Sequence, residues 1–164
     1  MNTTVESMQS FAFIRKNRDR LTKHFTLHEM TISGTAIRHG WKNEPDDLAI
    51  QNLQLLCENV LEPLRARFGV IRITSGYRSV QVNKAVGGVE FSQHRYGQAA
   101  DVFVPNMEVG KKMFEFIREN TDFDQCIYEY EKKTGRHWLH LSYNVEGNRH
   151  QAFMNYRMTP GRRE

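Results

Sequence analysis

Ser92-Gln93-His94-Arg95-Tyr96-Gly97-Gln98-Ala99-Ala100-Asp101-Val102-Phe103-Val104 is the stretch on which the reading of this 164-residue chain turns. A histidine on a loop leads through a glycine into a strand of small residues that carries an aspartate. Gly97 lets the backbone turn tightly. Ala99 and Ala100 let the strand lie close to its neighbours. Asp101 then enters the apolar run Val102-Phe103-Val104, where a carboxylate is costly unless it is paired or bound to a metal. Imidazole nitrogen and carboxylate oxygen both suit zinc.

Two further segments belong with this one. In His137-Trp138-Leu139-His140-Leu141-Ser142-Tyr143, His140 sits mid-strand among hydrophobic neighbours. A histidine in that place is more often a hydrogen-bonded core residue than a ligand, so alone it decides nothing. In Ile73-Thr74-Ser75-Gly76-Tyr77-Arg78-Ser79 an arginine follows a strand on a turn, where it can clamp a carboxylate or polarise a carbonyl, or form a surface salt bridge. His94, Asp101 and His140 together would supply three protein ligands and leave a fourth position open for water, the arrangement of a catalytic zinc site. The other histidines, His24, His28, His39 and His150, lie in polar contexts and read as surface or packing residues. Cys57 and Cys126 have no paired Cys or Cys/His spacing, so a cysteine-based zinc site is excluded and both read as buried thiols.

Around these segments the pattern predicts an α+β fold. Pro45 opens a long helix through Phe68, with Leu48, Leu53, Leu56, Val60, Leu61 and Leu64 at helical spacing, and Gly69 ends it. Thr26 and Glu29 have capping-box spacing at the start of a helical turn. Residues 33–44 read as loop. Residues 70–74 alternate and are β-branched, so they predict a strand. A short helix over 80–86 follows, then a strand over 99–104, and a second amphipathic helix over 109–120 with Met113, Phe116 and Ile117 on one face. Strands are expected over 125–129, 138–143 and 150–156. The expected architecture places helices on one side of a small, mainly antiparallel sheet.

The organisation reads as a polar, basic lead-in over 1–23, one domain over 24–156 and a basic tail over 157–164, with no repeat or linker. Hydrophobic residues are 39% and charged residues 26%, as in an ordinary globular chain. The formal net charge of +4 is partly terminal and reads as solvated ends. It lacks the basic–aromatic interleaving of a nucleic-acid reader, so no nucleic-acid partner is expected. No apolar run of membrane-spanning length occurs and no membrane partner is expected. Met1–Ser10 is polar and carries no signal-peptide pattern, which predicts synthesis in the cytoplasm.

Ser-Gly-Tyr-Arg-Ser at 75–79, Ser-x-His-x-x-Gly-x-Ala-x-Asp at 92–101 and Trp-x-His-x-Ser at 138–142, in this order, resemble the zinc D-alanyl-D-alanine carboxypeptidase family. The likeness is to its compact single-domain branch, which is found in bacteriophages and bacteria. It runs from about His24 to Tyr143 and includes Phe25-Thr26-Leu27, Asn59-Val60-Leu61-Glu62-Pro63-Leu64 and Val86-Gly87-Gly88. The resemblance implies the hedgehog/DD-peptidase fold and a Zn2+ ion on His94, Asp101 and His140. It also implies that Arg78 binds or polarises substrate.

The implied activity is hydrolysis of an amide bond in peptidoglycan stem peptides by a monomer, as a carboxypeptidase or an endopeptidase such as a phage endolysin. A chain of that kind would reach the cell wall by holin release or in a virion. Some relatives carry a glutamate three residues before the last ligand. Here that position is His137, and the general base falls first to Glu129 on the preceding strand, with Glu131 and His137 as alternatives. Ser92, Tyr77 and Trp138 are expected to line the substrate site or support the ligand loop, and Gln93 and Tyr96 share that neighbourhood. The competing reading is a metal-containing binding module of the same fold that recognises cell wall or a protein without hydrolysis.

Overall fold

The computed structural model describes residues 19–157. The lead-in over 1–18 and the tail over 158–164 lie outside the described residues. The core already draws on the end of the lead-in, since Leu21 is buried in it with Phe25, and Arg20 and Thr26 form an isolated antiparallel bridge.

Helix α1 (Leu27–Thr31) starts at Thr26, whose hydroxyl accepts the amide of Glu29 at 3.1 Å. The capping-box reading therefore holds. Residues 33–44 depart from the loop expectation. Ser33 accepts the amide of Ala36 at 3.2 Å and nucleates α2 (Gly34–His39), which closes on Gly40 at φ 65°. A cap hydroxyl and a left-handed terminator make six residues helical where Gly34, Gly40 and Asn43 suggested loop.

The long helix starts two residues after Pro45, because Asp46 takes the cap and accepts the amide of Ala49 at 2.8 Å. It runs as α3 (Asp47–Leu56), a π-helical turn over Cys57–Leu61, and α4 (Glu62–Phe68). The wide turn has a local cause in Pro63. A proline within a regular helix would strike the carbonyl four residues back and could not donate to it. In the wide turn the amide of Glu62 reaches Cys57 instead. Leu53, Leu56, Val60, Leu61 and Leu64 are all fully buried, but Leu48 is exposed. Ala49, one helical turn before Leu53, occupies the inward position that Leu48 was expected to fill.

The sheet has five strands in the order β1-β2-β4-β3-β5, where β1 is Ile73–Ser75, β2 Ala99–Phe103, β3 Gln125–Glu131, β4 Arg136–Ser142 and β5 Gln151–Arg157. All neighbours are antiparallel except β3 and β5. The first strand is shorter and later than its β-branched run suggests. It pairs on one side only, and its register slips between Ile73 and Ser75. Helix α5 (Val80–Ala85) follows it, and α6 (Met107–Asn120) starts on the side-chain cap of Asn106.

Alternation gives the sheet two faces. Ala100, Val102, Cys126, Tyr128, Leu139 and Leu141 join the core with the long helix and with Met113, Phe114 and Ile117 of α6. Phe116 is only partly buried and meets Phe68 edge-on at 5.7 Å. Asp101, Ile127, Glu129, Trp138 and His140 belong to the other face. Cys57 and Cys126 are free and buried, as expected. Among the described residues no helix is long and apolar enough to cross a membrane.

Gly97 sets the loop before β2 against the long helix. Its φ is +72°, and a Cβ placed there would lie 2.2 Å from the carbonyl oxygen of Ala49. Both the backbone conformation and the close approach forbid a side chain. Gly97→Ala is expected to lower unfolding free energy by at least ~2 kcal/mol, measured as a fall in the urea midpoint at constant slope.

Candidate metal centre

His94 lies on a 3-10 turn (Gln93–Tyr96) that Ser92 caps by accepting the amide of His94. The turn is fastened from several sides. Its His94 carbonyl accepts the amide of Arg78 at 3.0 Å, and Asn52 donates to the Tyr96 carbonyl at 2.9 Å. The His94 ring is fully buried, and Nδ1 lies 2.7 Å from the carbonyl oxygen of Gly76. A carbonyl only accepts, so Nδ1 carries the hydrogen and Nε2 presents a lone pair.

That lone pair faces another one. Nε2 of His94 is 3.4 Å from Oδ1 of Asp101 and has no hydrogen-bond partner among the described residues. Asp101 and His140 are directly paired across β2 and β4, and His140 Nδ1 lies 3.2 Å from the same oxygen. The two imidazole rings are 5.2 Å apart. One ligand atom from each of the three residues lies within 4.8 Å of the others, so they could hold a metal ion. An orphaned buried nitrogen beside a carboxylate oxygen suits a cation, since two acceptors cannot satisfy each other.

The electrostatics prepare the same donor set. Complete burial disfavours the imidazolium and lowers the His94 pKa, against the pull of Asp101. His94 is therefore a neutral base at neutral pH. Burial alone would raise the Asp101 acid, but the hydrogen bond with the His140 imidazole holds it well below the usual carboxylate range. Arg78, itself 2% exposed, donates from Nη2 to Asp101 Oδ2 at 3.2 Å and from Nε to Ser75 at 3.0 Å. In this arrangement the arginine grips the Asp101 carboxylate. With Tyr77 it also lines a cavity of about 250 Å³ beside α2.

The remaining expected residues divide by face. Glu129 is 4% exposed, pairs with Trp138 across β3 and β4, and shares the face of His140. Diagonal neighbours across such a pair lie roughly 7–8 Å apart, within reach of a long side chain. Glu131 is on that face too, but its carboxylate accepts the hydroxyl of Thr134 and serves the β3–β4 turn. His137 is turned away. Three residues is an odd step in a two-residue period, so His137 faces the helices while His140 faces the site. Its Nδ1 is 2.5 Å from the Tyr128 hydroxyl, and its ring stacks on Tyr130 at 4.7 Å. Trp138 lies on the site face beneath Arg136, whose guanidinium carbon is 5.6 Å from the ring centre. Ser92 is buried and spent on the turn cap, and Tyr96 is partly exposed at its end.

Sequence reading passed over three residues that fasten the segments around these side chains. Gly76 supplies the carbonyl that sets the His94 tautomer, and a Cβ there would meet the Met30 carbonyl oxygen at 2.2 Å. Asn43 bonds the carbonyls of Thr31 and Tyr77 and the amide of Ser79, clamping the turn that carries Arg78. Its place in a polar loop gave no sign of this. Asp124 is 1% exposed and lies just before β3, where it accepts from Gln93, Ser142 and Arg149.

A family model described as Peptidase M15 matches residues 23–142, most of the chain. The chain belongs to this family. Membership accounts for the order of the Ser-Gly-Tyr-Arg, His–Asp and His140 segments, and the mixed α+β architecture agrees with an M15 peptidase domain. No curated protein gives a significant match to the chain.

Asp124 carries a pH dependence of its own. Burial would raise its pKa, but hydrogen bonds from the Arg149 side chain and backbone and from Gln93 pull it from 3.8 to about 2. The folded value is the lower one, so the stabilisation is complete above about pH 4 and disappears as pH falls toward 2. In urea unfolding of the metal-free protein, the stability difference between wild type and Asp124→Asn is expected to shrink across that window.

Proposed function

We propose that the protein is a zinc peptidase that hydrolyses an amide bond in peptidoglycan stem peptides, as a carboxypeptidase or an endopeptidase. The observation that carries this reading is the buried Nε2 of His94, fixed as a lone pair and aimed at Asp101 Oδ1. Two imidazoles and one carboxylate fit zinc as a three-ligand set with an open fourth position. Family membership supports peptidase chemistry and a peptidoglycan-related substrate.

His94, Asp101 and His140 would hold the ion. When bound, zinc supplies Lewis acidity toward a carbonyl and lowers the pKa of water toward neutrality. Glu129 acts as the general base. It takes a proton from the attacking water and returns it to the leaving amine, which requires a carboxylate on the ligand face of the sheet. Arg78 keeps Asp101 oriented, and with Tyr77 it borders the cavity that receives the polar backbone of the substrate. Trp138 walls the site beside Glu129. Carriage in a virion or release by a holin would bring the protein to the wall.

The face assignment separates Glu129 from His137. Glu129→Gln is expected to retain about one zinc per chain while losing ~100-fold or more in turnover of purified sacculi. His137→Gln is expected to leave turnover within a factor of about three. Mass spectrometry of released muropeptides, beside metal analysis of each variant, reads both and identifies the bond cut. Wild type that holds zinc without releasing any fragment would instead make the protein a binding module.

A further inference from the structure

We infer that Asp124 is a positioning residue for the metal centre, setting the separation of His94 and His140 from beyond the ligands themselves. The inference rests on the metallopeptidase reading and extends it to a residue that touches none of the ligands.

The geometry joins the two histidine segments through one carboxylate. Asp124 Oδ2 accepts from Gln93 Nε2 at 2.8 Å, and Gln93 immediately precedes His94. The same oxygen accepts from the Ser142 hydroxyl at 3.3 Å, and Ser142 lies two residues beyond His140 on the same face of β4. Backbone bonds lock the register, with the Asp124 amide on the Ser142 carbonyl at 2.8 Å and the Gln125 amide on the Ser142 hydroxyl at 2.9 Å. Arg149 then closes the carboxylate from outside. Its backbone amide and Nε reach Oδ1 at 2.8 and 2.9 Å, and Nη2 reaches Oδ2 at 2.7 Å. Nη2 also approaches Gln93 Oε1 at 3.4 Å.

A carboxylate is needed here because every group around it is a donor. An amide in the same place would turn its NH2 toward one of them. Gln93 or Arg149 would then face a donor, and the histidine turn would lose its tie to the end of β4. Surrounding groups that orient metal ligands typically change metal affinity by 10–100-fold when removed. Asp124 acts one residue further out, at the lower end of that range.

The test uses the whole chain and two metals. Zinc affinity is measured by chelator competition, and the cobalt-substituted protein is followed through its visible ligand-field absorption. Asp124→Asn is expected to weaken zinc by ~10-fold and to shift the cobalt bands. Gln93→Ala removes the tether and its contact with Arg149 but leaves the Asp124–Arg149 pair, so it keeps the experiment decisive if Asp124→Asn folds poorly. It is expected to shift the cobalt bands in the same direction. Asp122→Asn, whose partner is the exposed His150, serves as a control and is expected to match wild type.

A lower melting temperature of the metal-free variants with unchanged zinc affinity and cobalt spectrum would make Asp124 a stability residue only and overturn the inference. Wild type that binds neither metal would overturn the metallopeptidase reading itself, and this inference with it.

Discussion

The arrangement of this protein depends on the hydrogen bond from His94 Nδ1 to the Gly76 carbonyl. It engages the only N–H a neutral imidazole has, and so leaves Nε2 as a bare acceptor inside the protein. Asp101 Oδ1, also an acceptor, stands 3.4 Å away, and His140 lies on its other side. Without a cation, His94 Nε2 is a buried polar atom left unsatisfied, which costs about 1–3 kcal/mol. The fold keeps it nonetheless, with Arg78 on Asp101, Ser75 on Arg78 and Ser92 on the His94 amide.

The bond to Gly76 requires two distant turns to lie against each other. The turn after β1 is anchored by Asn43 from one side and by the Met30 carbonyl, which accepts the Tyr77 amide, from the other. The His94 turn is pressed on the long helix through Gly97 and Asn52. Glycine is needed at 76 and 97 for the same reason, since in both places a main-chain carbonyl occupies the space a Cβ would take. Rigid neighbours, not the loops themselves, therefore hold the ligand atoms in position.

The sheet supplies the rest through parity. Its apolar face binds the long helix and α6, and its other face is left for chemistry. Asp101, His140, Glu129 and Trp138 all fall on that second face by strand alternation and register. Parity also removes His137, which packs with Tyr128 and Tyr130 on the core side. Position 137, where some relatives carry a glutamate, is a histidine here, and the Glu129 carboxylate on β3 lies on the face of His140.

Much of this was legible in the linear chain. The helical stripe from Leu53 to Leu64, the β-branched and apolar strands, and the order of the Arg78, His94–Asp101 and His140 segments are local patterns. Local patterns report element type and residue chemistry because they arise from periodicity and side-chain composition. The helix over Gly34–His39, the π-helical turn before Pro63, and the exposure of Leu48 depended on caps and packing that a pattern does not encode. The face of His137 needed the strand register, and the roles of Asn43 and Asp124 needed contacts between residues far apart in the chain. The sequence by itself determined which side chains were available to bind a metal. Only the tertiary structure decided which lone pairs face one another, because tautomer, face and distance are set by partners from other segments.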